Sequence, residues 1–369
     1  AFFVKHEGDN QLTFISSTIL DVSGNPFMIA LPSDMAFIPA GDILIVTSES
    51  GNRVDFLEVT ESGDLIAQGS LGDGGRDSGM TTIDGLGGAS SIAISPDGRF
   101  MYVTGATDNA VAVFSKPDEE PEMMGLGLPL FVQKLANGDM DGALNVVTGL
   151  GGASSVEVSP DGVHVYVTGE IDNSIAVFSR DSGTGQLTFV EKLVNGGLDS
   201  MSNTVQNLSA PVSVSISPEG TTVYVAASGS NAVTLFARDV FSGALTFLET
   251  LADGGTDGAG TTVAGVNNVS SVFASVDGQH VYASGTGDDA IVRFNVPRLL
   301  DVSTDGSANI SVTTSDSNDI ISLSLFGQPA MVTIDAGGSV DNDFVLIQGT
   351  PIDDTVNING STLTSGPST

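Results

Sequence analysis

The strongest constraint on this chain is a passage that it repeats. Gly149-Leu150-Gly151-Gly152-Ala153-Ser154-Ser155-Val156-Glu157-Val158-Ser159-Pro160-Asp161-Gly162, followed by Val165-Tyr166-Val167-Thr168-Gly169 and Ile175-Ala176-Val177-Phe178, is nearly duplicated over 85–114. Looser copies run over 208–236 and 266–294, and a worn one spans 35–56. The turn tetrads Ile38-Pro39-Ala40-Gly41, Ser95-Pro96-Asp97-Gly98, Ser159-Pro160-Asp161-Gly162, Ser217-Pro218-Glu219-Gly220 and Ser275-Val276-Asp277-Gly278 are spaced by 57, 64, 58 and 58 residues. A near-fixed period of that size implies like units, each too small to bury its own core, that gain one by stacking on neighbours.

Each unit reads as four short strands. In the second unit these are 90–95, 100–104, 110–114 and 130–134, rich in Val, Ile, Phe and Tyr and bounded by Pro, Gly, Asp and Asn. The first turn is Ser-Pro-Asp-Gly, in which proline pre-sets φ and glycine eases the exit. The second is Asp108-Asn109, Asp172-Asn173, Ser230-Asn231, Asp288-Asp289 or Gly51-Asn52, residues that tolerate the positive φ of a tight hairpin. Four antiparallel strands repeated in this way are the blade pattern of a β-propeller, and no sustained helical period is present, which excludes an α-solenoid.

The start of the chain bears on how the ring closes. Residues 1–15 match 176–190 without a gap, which are the third strand, turn and fourth strand of a blade, whereas the last repeat ends Ala290-Ile291-Val292-Arg293-Phe294 with no evident fourth strand. The expectation is an all-β propeller over 1–296, with five four-stranded blades closed by strand 12–16 pairing with 290–294, since each otherwise leaves an open edge. Six or seven blades is the alternative, with 301–326 supplying a sixth.

These repeats resemble the YVTN and lactonase-like propeller repeats of secreted and surface proteins of bacteria and archaea, carried here by Val-Tyr-Val-Thr-Gly, Ser-Pro-Asp-Gly before it and Asp-Asn-Ser-Ile-Ala-Val-Phe after it. The resemblance implies the fold over 1–296 and leaves function open, because propellers host many activities. Lactonase relatives are usually seven-bladed with shorter repeats, and no lactonase catalytic motif carries over residue by residue.

Composition points outside the cell. There is no Cys, and 45 acidic residues stand against 11 basic ones, a net charge of −34. Such a field repels nucleic acid and anionic membranes, favours solubility and attracts cations. No stretch is apolar enough to insert in a membrane. An extracellular or cell-surface location is expected, and Ala1 reads as a processed or fragment terminus.

The loops between blades carry the best chemical signal. Asp73-Gly74-Gly75-Arg76-Asp77, Asn137-Gly138-Asp139-Met140-Asp141, Asn195-Gly196-Gly197-Leu198-Asp199 and Asp253-Gly254-Gly255-Thr256-Asp257 all place Asx and Asp around a Gly bend. Alternating oxygen ligands on a bent loop suit Ca²⁺, so Asp73, Asp77, Asn137, Asp139, Asp141, Asn195, Asp199, Asp253 and Asp257 are candidate ligands, with Asp139 and Asp141 the strongest. The other reading is that the same side chains bond nearby backbone N–H groups and simply make turns.

No catalytic set stands out. His164 and His280 occupy equivalent strand starts, His6 falls in a hairpin, and Tyr102, Tyr166, Tyr224 and Tyr282 recur at one position, marking packing between blades. The segment 116–128, acidic and Pro-flanked before it turns apolar, is an excursion from the second blade. Residues 297–369 change to alternating strands, and Gly349-Thr350-Pro351-Ile352-Asp353-Asp354-Thr355-Val356 is similar to segments of RTX-like surface proteins, so a small β module with a linker-like tail is expected there. From the sequence the main expectation is a non-catalytic extracellular or cell-surface scaffold or adhesion module. It would bind a protein, a glycan or itself through propeller loops, with Ca²⁺ stabilising them. The alternative is a lactonase-like hydrolase at the central channel. With so few His, Lys and Arg, no lactone hydrolysis is expected, and the channel should be lined by small, apolar and hydroxyl side chains.

Overall fold

The structure is a computed structural model. It describes residues 19–38, 42–116, 128–258 and 260–296 in full, and beyond these the strand backbones at 3–5, 12–14, 299–304, 310–313, 320–325, 331–335, 344–349 and 355–359. The excursion expected over 116–128 lies almost wholly outside the described residues.

The short hairpin of β1 (Phe3–Lys5) and β2 (Leu12–Phe14) comes first. The first blade then joins β3 (Ile19–Asp21), β4 (Pro26–Phe27), β5 (Pro32–Phe37), β6 (Ile43–Ser48), β7 (Arg53–Val59) and β8 (Leu65–Gly72), in the sheet order β4-β3-β8-β7-β6-β5. The second holds β9 (Ala89–Ile94), β10 (Phe100–Gly105), β11 (Ala110–Ser115) and β12 (Leu130–Ala136). The third holds β13 (Ala153–Val158), β14 (His164–Gly169), β15 (Ser174–Arg180) and β16 (Leu187–Val194). The fourth holds β17 (Pro211–Ile216), β18 (Thr222–Ala227), β19 (Ala232–Arg238) and β20 (Leu245–Ala252). The fifth has β21 (Val269–Ala274), β22 (His280–Gly285) and β23 (Ala290–Asn295). This is the expected five-bladed propeller.

Its closure differs from expectation. Strand β2 pairs with β1, Phe14 opposite Phe3, and not with β23. That register copies Phe178 opposite Phe189 in the third blade, so the local third-to-fourth-strand hairpin prevails over the distant edge, as loop-closure entropy favours. Among the described residues no fourth strand joins the fifth blade, and β23 borders an open groove of about 630 Å³ lined by Ala264, Gly265 and Ala290 to Arg293. The C-terminal strands do not make a sixth blade. β24 (Leu299–Thr304), β26 (Ile320–Leu325) and β28 (Phe344–Gly349) form one parallel sheet, and β25 (Ile310–Thr313), β27 (Met331–Asp335) and β29 (Thr355–Asn359) another, the chain alternating between them.

The turn chemistry does what its residues require. Asn52, Asn109, Asn173, Asn231 and Asp289 all take the left-handed conformation, and so do Gly98, Gly162, Gly220 and Gly278 of the first turns. From that position four side chains staple each blade to the next: Asn52, Asn109, Asn173 and Asn231 accept the N–H groups of Gly88, Gly152, Ala210 and Asn268. The core lies between blades. Tyr102, Val111 and Val113 pack on Val156, Val158, Val165 and Val167 of the following blade, and the other interfaces repeat the pattern. Tyr102, Tyr166 and Tyr224 are buried there as expected. At the strand ends, a Cβ on Gly169 would strike the carbonyl oxygen of Gly149. Gly169→Ala is therefore expected to cost about 2–3 kcal/mol, read as a lower midpoint in urea unfolding.

Candidate functional site

The inner strands β5, β9, β13, β17 and β21 lie side by side along the propeller axis, and their sequences explain how their edges are satisfied. β9, β13 and β21 each carry two adjacent serines, where β5 has Ser33-Asp34 and β17 has Val212-Ser213. The first hydroxyl donates forward to a backbone carbonyl of the next blade: Ser33 to Ala89, Ser90 to Ala153 and Ser154 to Pro211. The second position accepts a backbone N–H from the next blade: Asp34 from Ile92, Ser91 from Val156, Ser155 from Val214 and Ser213 from Val272. The repeating serines are thus edge caps for strands with no other neighbour on the axis side.

Two carboxylates interrupt this hydroxyl lining. Asp34 stands where Ser91 and Ser155 stand in later blades, and its Oδ2 accepts the Ser91 hydroxyl at 2.8 Å and the Ile92 N–H at 3.0 Å. Glu157, on β13, stands where Ala93 and Ser215 stand. Among the described residues it accepts no hydrogen bond. Burial pushes its carboxyl up to about 7, and the Asp34 charge pushes the same way. A half-buried carboxylate with reachable oxygens and a pKa near neutrality can take a proton from water at physiological pH. The neighbouring inner strand adds the hydroxyls of Ser213 and Ser215, the latter accepting the Ala274 N–H. The expected lining of small, apolar and hydroxyl groups is present, but these two acids were missed. Their signal was a departure from the repeat, a lone acid at a position that other copies fill with a serine, an alanine or, at Phe273, an aromatic residue.

In the interblade Asx loops, hydrogen bonds engage the candidate ligand side chains. The leading residues Asp73, Asn137, Asn195 and Asp253 accept the N–H groups of Leu86, Gly149, Leu208 and Gly265. Asp139 accepts the Ala136 N–H. Asp77, Asp141 and Asp199 are buried and reach the fourth strand of the following blade, where they accept from Phe131, Phe189 and Phe247. Asp257 accepts the Thr261 N–H. Burial opposes ionisation of Asp141, but the side-chain and backbone N–H groups of Asn145 with those of Phe189 and Ala143 outweigh it and hold the carboxyl below its ordinary value. Asp141→Ala removes the acceptor for four bonds, and a loss of about 2–4 kcal/mol is expected, with a lower Tm whether or not Ca²⁺ is present. A different trio draws together: Asp73, Asp84 and Asp108 have oxygens within 4.8 Å of one another, and the Lys134 ammonium lies 2.9 Å from Asp84.

Of the histidines, His164 is buried with Nδ1 at 2.7 Å from an Arg238 nitrogen, in packing between blades. His280 is a half-buried strand residue, and His6 lies outside the described residues.

The family model described as lactonase, 7-bladed beta-propeller, matches residues 28–125 and 138–259. This chain belongs to the lactonase family. The match overturns the expectation of a non-catalytic scaffold or adhesion module and favours the hydrolase alternative, because it spans all but the last of the blades, including every strand that carries Asp34 and Glu157. Comparison with curated proteins finds no match. Among solved structures, a candidate 6-phosphogluconolactonase from Bacteroides uniformis is 16% identical, covers 79% of this lactonase-family chain and 72% of its own, and has a TM-score of 0.56. A candidate 6-phosphogluconolactonase from Bacteroides fragilis is 17% identical over 67% and 75%, at a TM-score of 0.38. The periplasmic gluconolactonase of Pseudomonas aeruginosa is 20% identical over 62% and 74%, at 0.39. The first of these likenesses establishes the shared propeller fold. This lactonase-family chain differs from the family description in blade number, with five blades among its described residues.

Proposed function

We propose that this protein is a lactonase-like hydrolase whose general base is Glu157, acting at the axial rim. The observation that carries the reading is a carboxyl raised to about 7 on the inner strand of a lactonase-family propeller, with Asp34 beside it. Glu157 would take a proton from water as the oxygen attacks the lactone carbonyl. In this reading the Ser213 and Ser215 hydroxyls of the neighbouring inner strand would donate to the developing oxyanion. The ring C–O bond then breaks, the departing ring oxygen recovers the proton from Glu157, and lactone plus water becomes one hydroxy acid.

The same rim sets the substrate class. The inner strands, Pro-Ser-Asp-Met-Ala-Phe, Ala-Ser-Ser-Ile-Ala-Ile, Ala-Ser-Ser-Val-Glu-Val, Pro-Val-Ser-Val-Ser-Ile and Val-Ser-Ser-Val-Phe-Ala, contain no Lys or Arg to clamp a phosphate. Two carboxylates and a net charge of −34 repel anions. An uncharged sugar lactone fits this rim better than a phosphorylated one. The test is hydrolysis of an unphosphorylated aldonolactone and its 6-phosphate, followed by acid release. Turnover of the neutral lactone, with a kcat/KM at least about tenfold above the phosphorylated one, is expected. Rates no faster than spontaneous opening would overturn the proposal.

The Ca²⁺ expectation for the loop residues Asp73, Asp77, Asn137, Asp139, Asp141, Asn195, Asp199, Asp253 and Asp257 is carried forward as a separate proposal, to which the structure adds Asp84 and Asp108 as the acids lying close to Asp73. Chelation should then lower Tm by mass action, and an unchanged Tm would retire it.

A further inference from the structure

We infer that the two ends of the blade series are the two halves of one interface, by which a second copy of this chain docks head to tail. Each interface within the propeller is made from the same positions. The forward face of one blade presents Tyr102, Tyr166 or Tyr224 with Val111, Ile175 or Val233, all buried, and the rear face of the next presents Ile92, Val156, Val214 or Val272, also buried. At the ends these positions are open. Tyr282 is 39% exposed and Ile291 is 81% exposed on the forward face of the fifth blade, and Met35 is 65% exposed on the rear face of the first. Phe273 and Phe37 on the two inner strands are exposed beside them.

The hydrogen-bond relay stops at the same places. Asp34, Ser91, Ser155 and Ser213 each accept an N–H from the blade ahead, whereas Ser271, the next in the series, accepts none among the described residues. The matching donor on the first blade, the Met35 N–H, bonds its own neighbour Asp34. The chain therefore presents both a surface and the surface that complements it. Such a contact is heterologous, so it extends rather than closing as a symmetric pair.

The second copy is held more weakly than one blade holds the next. Ile19, Phe27 and Ile29 already cover Leu44, Val46 and Leu57 on the outer half of the first blade's rear face. On the fifth blade, Arg293 replaces the apolar Val113, Val177 and Leu235 of its predecessors. Contact is confined to the inner and middle strands, and each partner brings a net charge of −34. Association should strengthen as salt screens that repulsion.

The test is sedimentation equilibrium of the full chain across a concentration series, at about 0.1 M and about 1 M salt, between which the Debye length falls from about 10 to about 3 Å. The expected result is a mass that rises with concentration, and more steeply at high salt. Met35→Asp and Ile291→Asp change exposed side chains, so both should keep the parent Tm, and each alone should weaken association about tenfold or more. Mixed one to one, they should form dimers and nothing larger, because one undamaged face of each kind remains. A mass that stays monomeric throughout would overturn the proposal. So would association indifferent to both substitutions, or variants that fail to complement each other.

Discussion

Glu157→Gln is expected to cut lactone turnover by about 10²–10⁴-fold while making the protein more stable at alkaline pH. The amide keeps the shape of the side chain but cannot accept the proton of the attacking water. In the parent, activity should rise as Glu157 ionises, with a midpoint near 7, and the variant's residual rate should lack that limb. The stability effect has a definite sign. Glu157 has a folded pKa raised above its ordinary 4.5, so its burial is harmless below that value and becomes destabilising as pH rises through about 7. The variant escapes the penalty, and because the oxygens still reach water the gain is of the order of 1–2 kcal/mol at pH 8 and nil at pH 4. A merely structural glutamate would show the stability change without the kinetic one. Unchanged kcat, or a pH midpoint that survives the substitution, would remove Glu157 from the reaction.

Blades were legible in the sequence because the features that make them are local. Ser-Pro-Asp-Gly and Asp-Asn dictate backbone angles within a few residues, and a period near 58 residues repeats them often enough to be seen. Closure was not legible, since it is a competition between edges: residues 1–15 encode a hairpin with its own register, and β1 reaches β2 before β23 can. The Asx loops kept two readings open for a related reason. Asp, Asn and Gly serve equally for cation ligation and for stapling N–H groups, and only coordinates show Asp141 satisfied by Ala143, Asn145 and Phe189. Glu157 was visible as a letter and invisible as an acid with a raised pKa, because burial and the nearness of Asp34 come from strands 123 residues apart in the chain.

Arg238 gives the largest expected loss of stability. It is fully buried between the third and fourth blades, where Nε donates to the Tyr166 hydroxyl at 2.8 Å, Nη1 to the Gly220 carbonyl at 2.7 Å and Nη2 to Asp161 at 2.8 Å. Arg180 repeats the arrangement one interface earlier with Tyr102, Gly162 and Asp97. In the interface after it, the positions hold Val296 and Glu219, so the guanidinium–carboxylate pair is not repeated there. Arg238→Val alone strands Asp161 and the Tyr166 hydroxyl, and is expected to cost about 3–5 kcal/mol, a fall in Tm of about 10 °C. The double variant with Asp161→Ala should lose less than the sum of the single losses, the mark of a coupled pair. Acid should act through the same cluster. His164 is held below its ordinary 6.5 by burial and by Arg238, so the unfolded chain takes up a proton that the folded one refuses, and stability falls as pH drops below that value. Removing Arg238 relieves the charge repulsion but not the burial, so the acid loss should shrink in the Arg238→Val variant without vanishing. A variant with parental Tm and an unaltered acid limb would mean that the guanidinium only fills space between the blades.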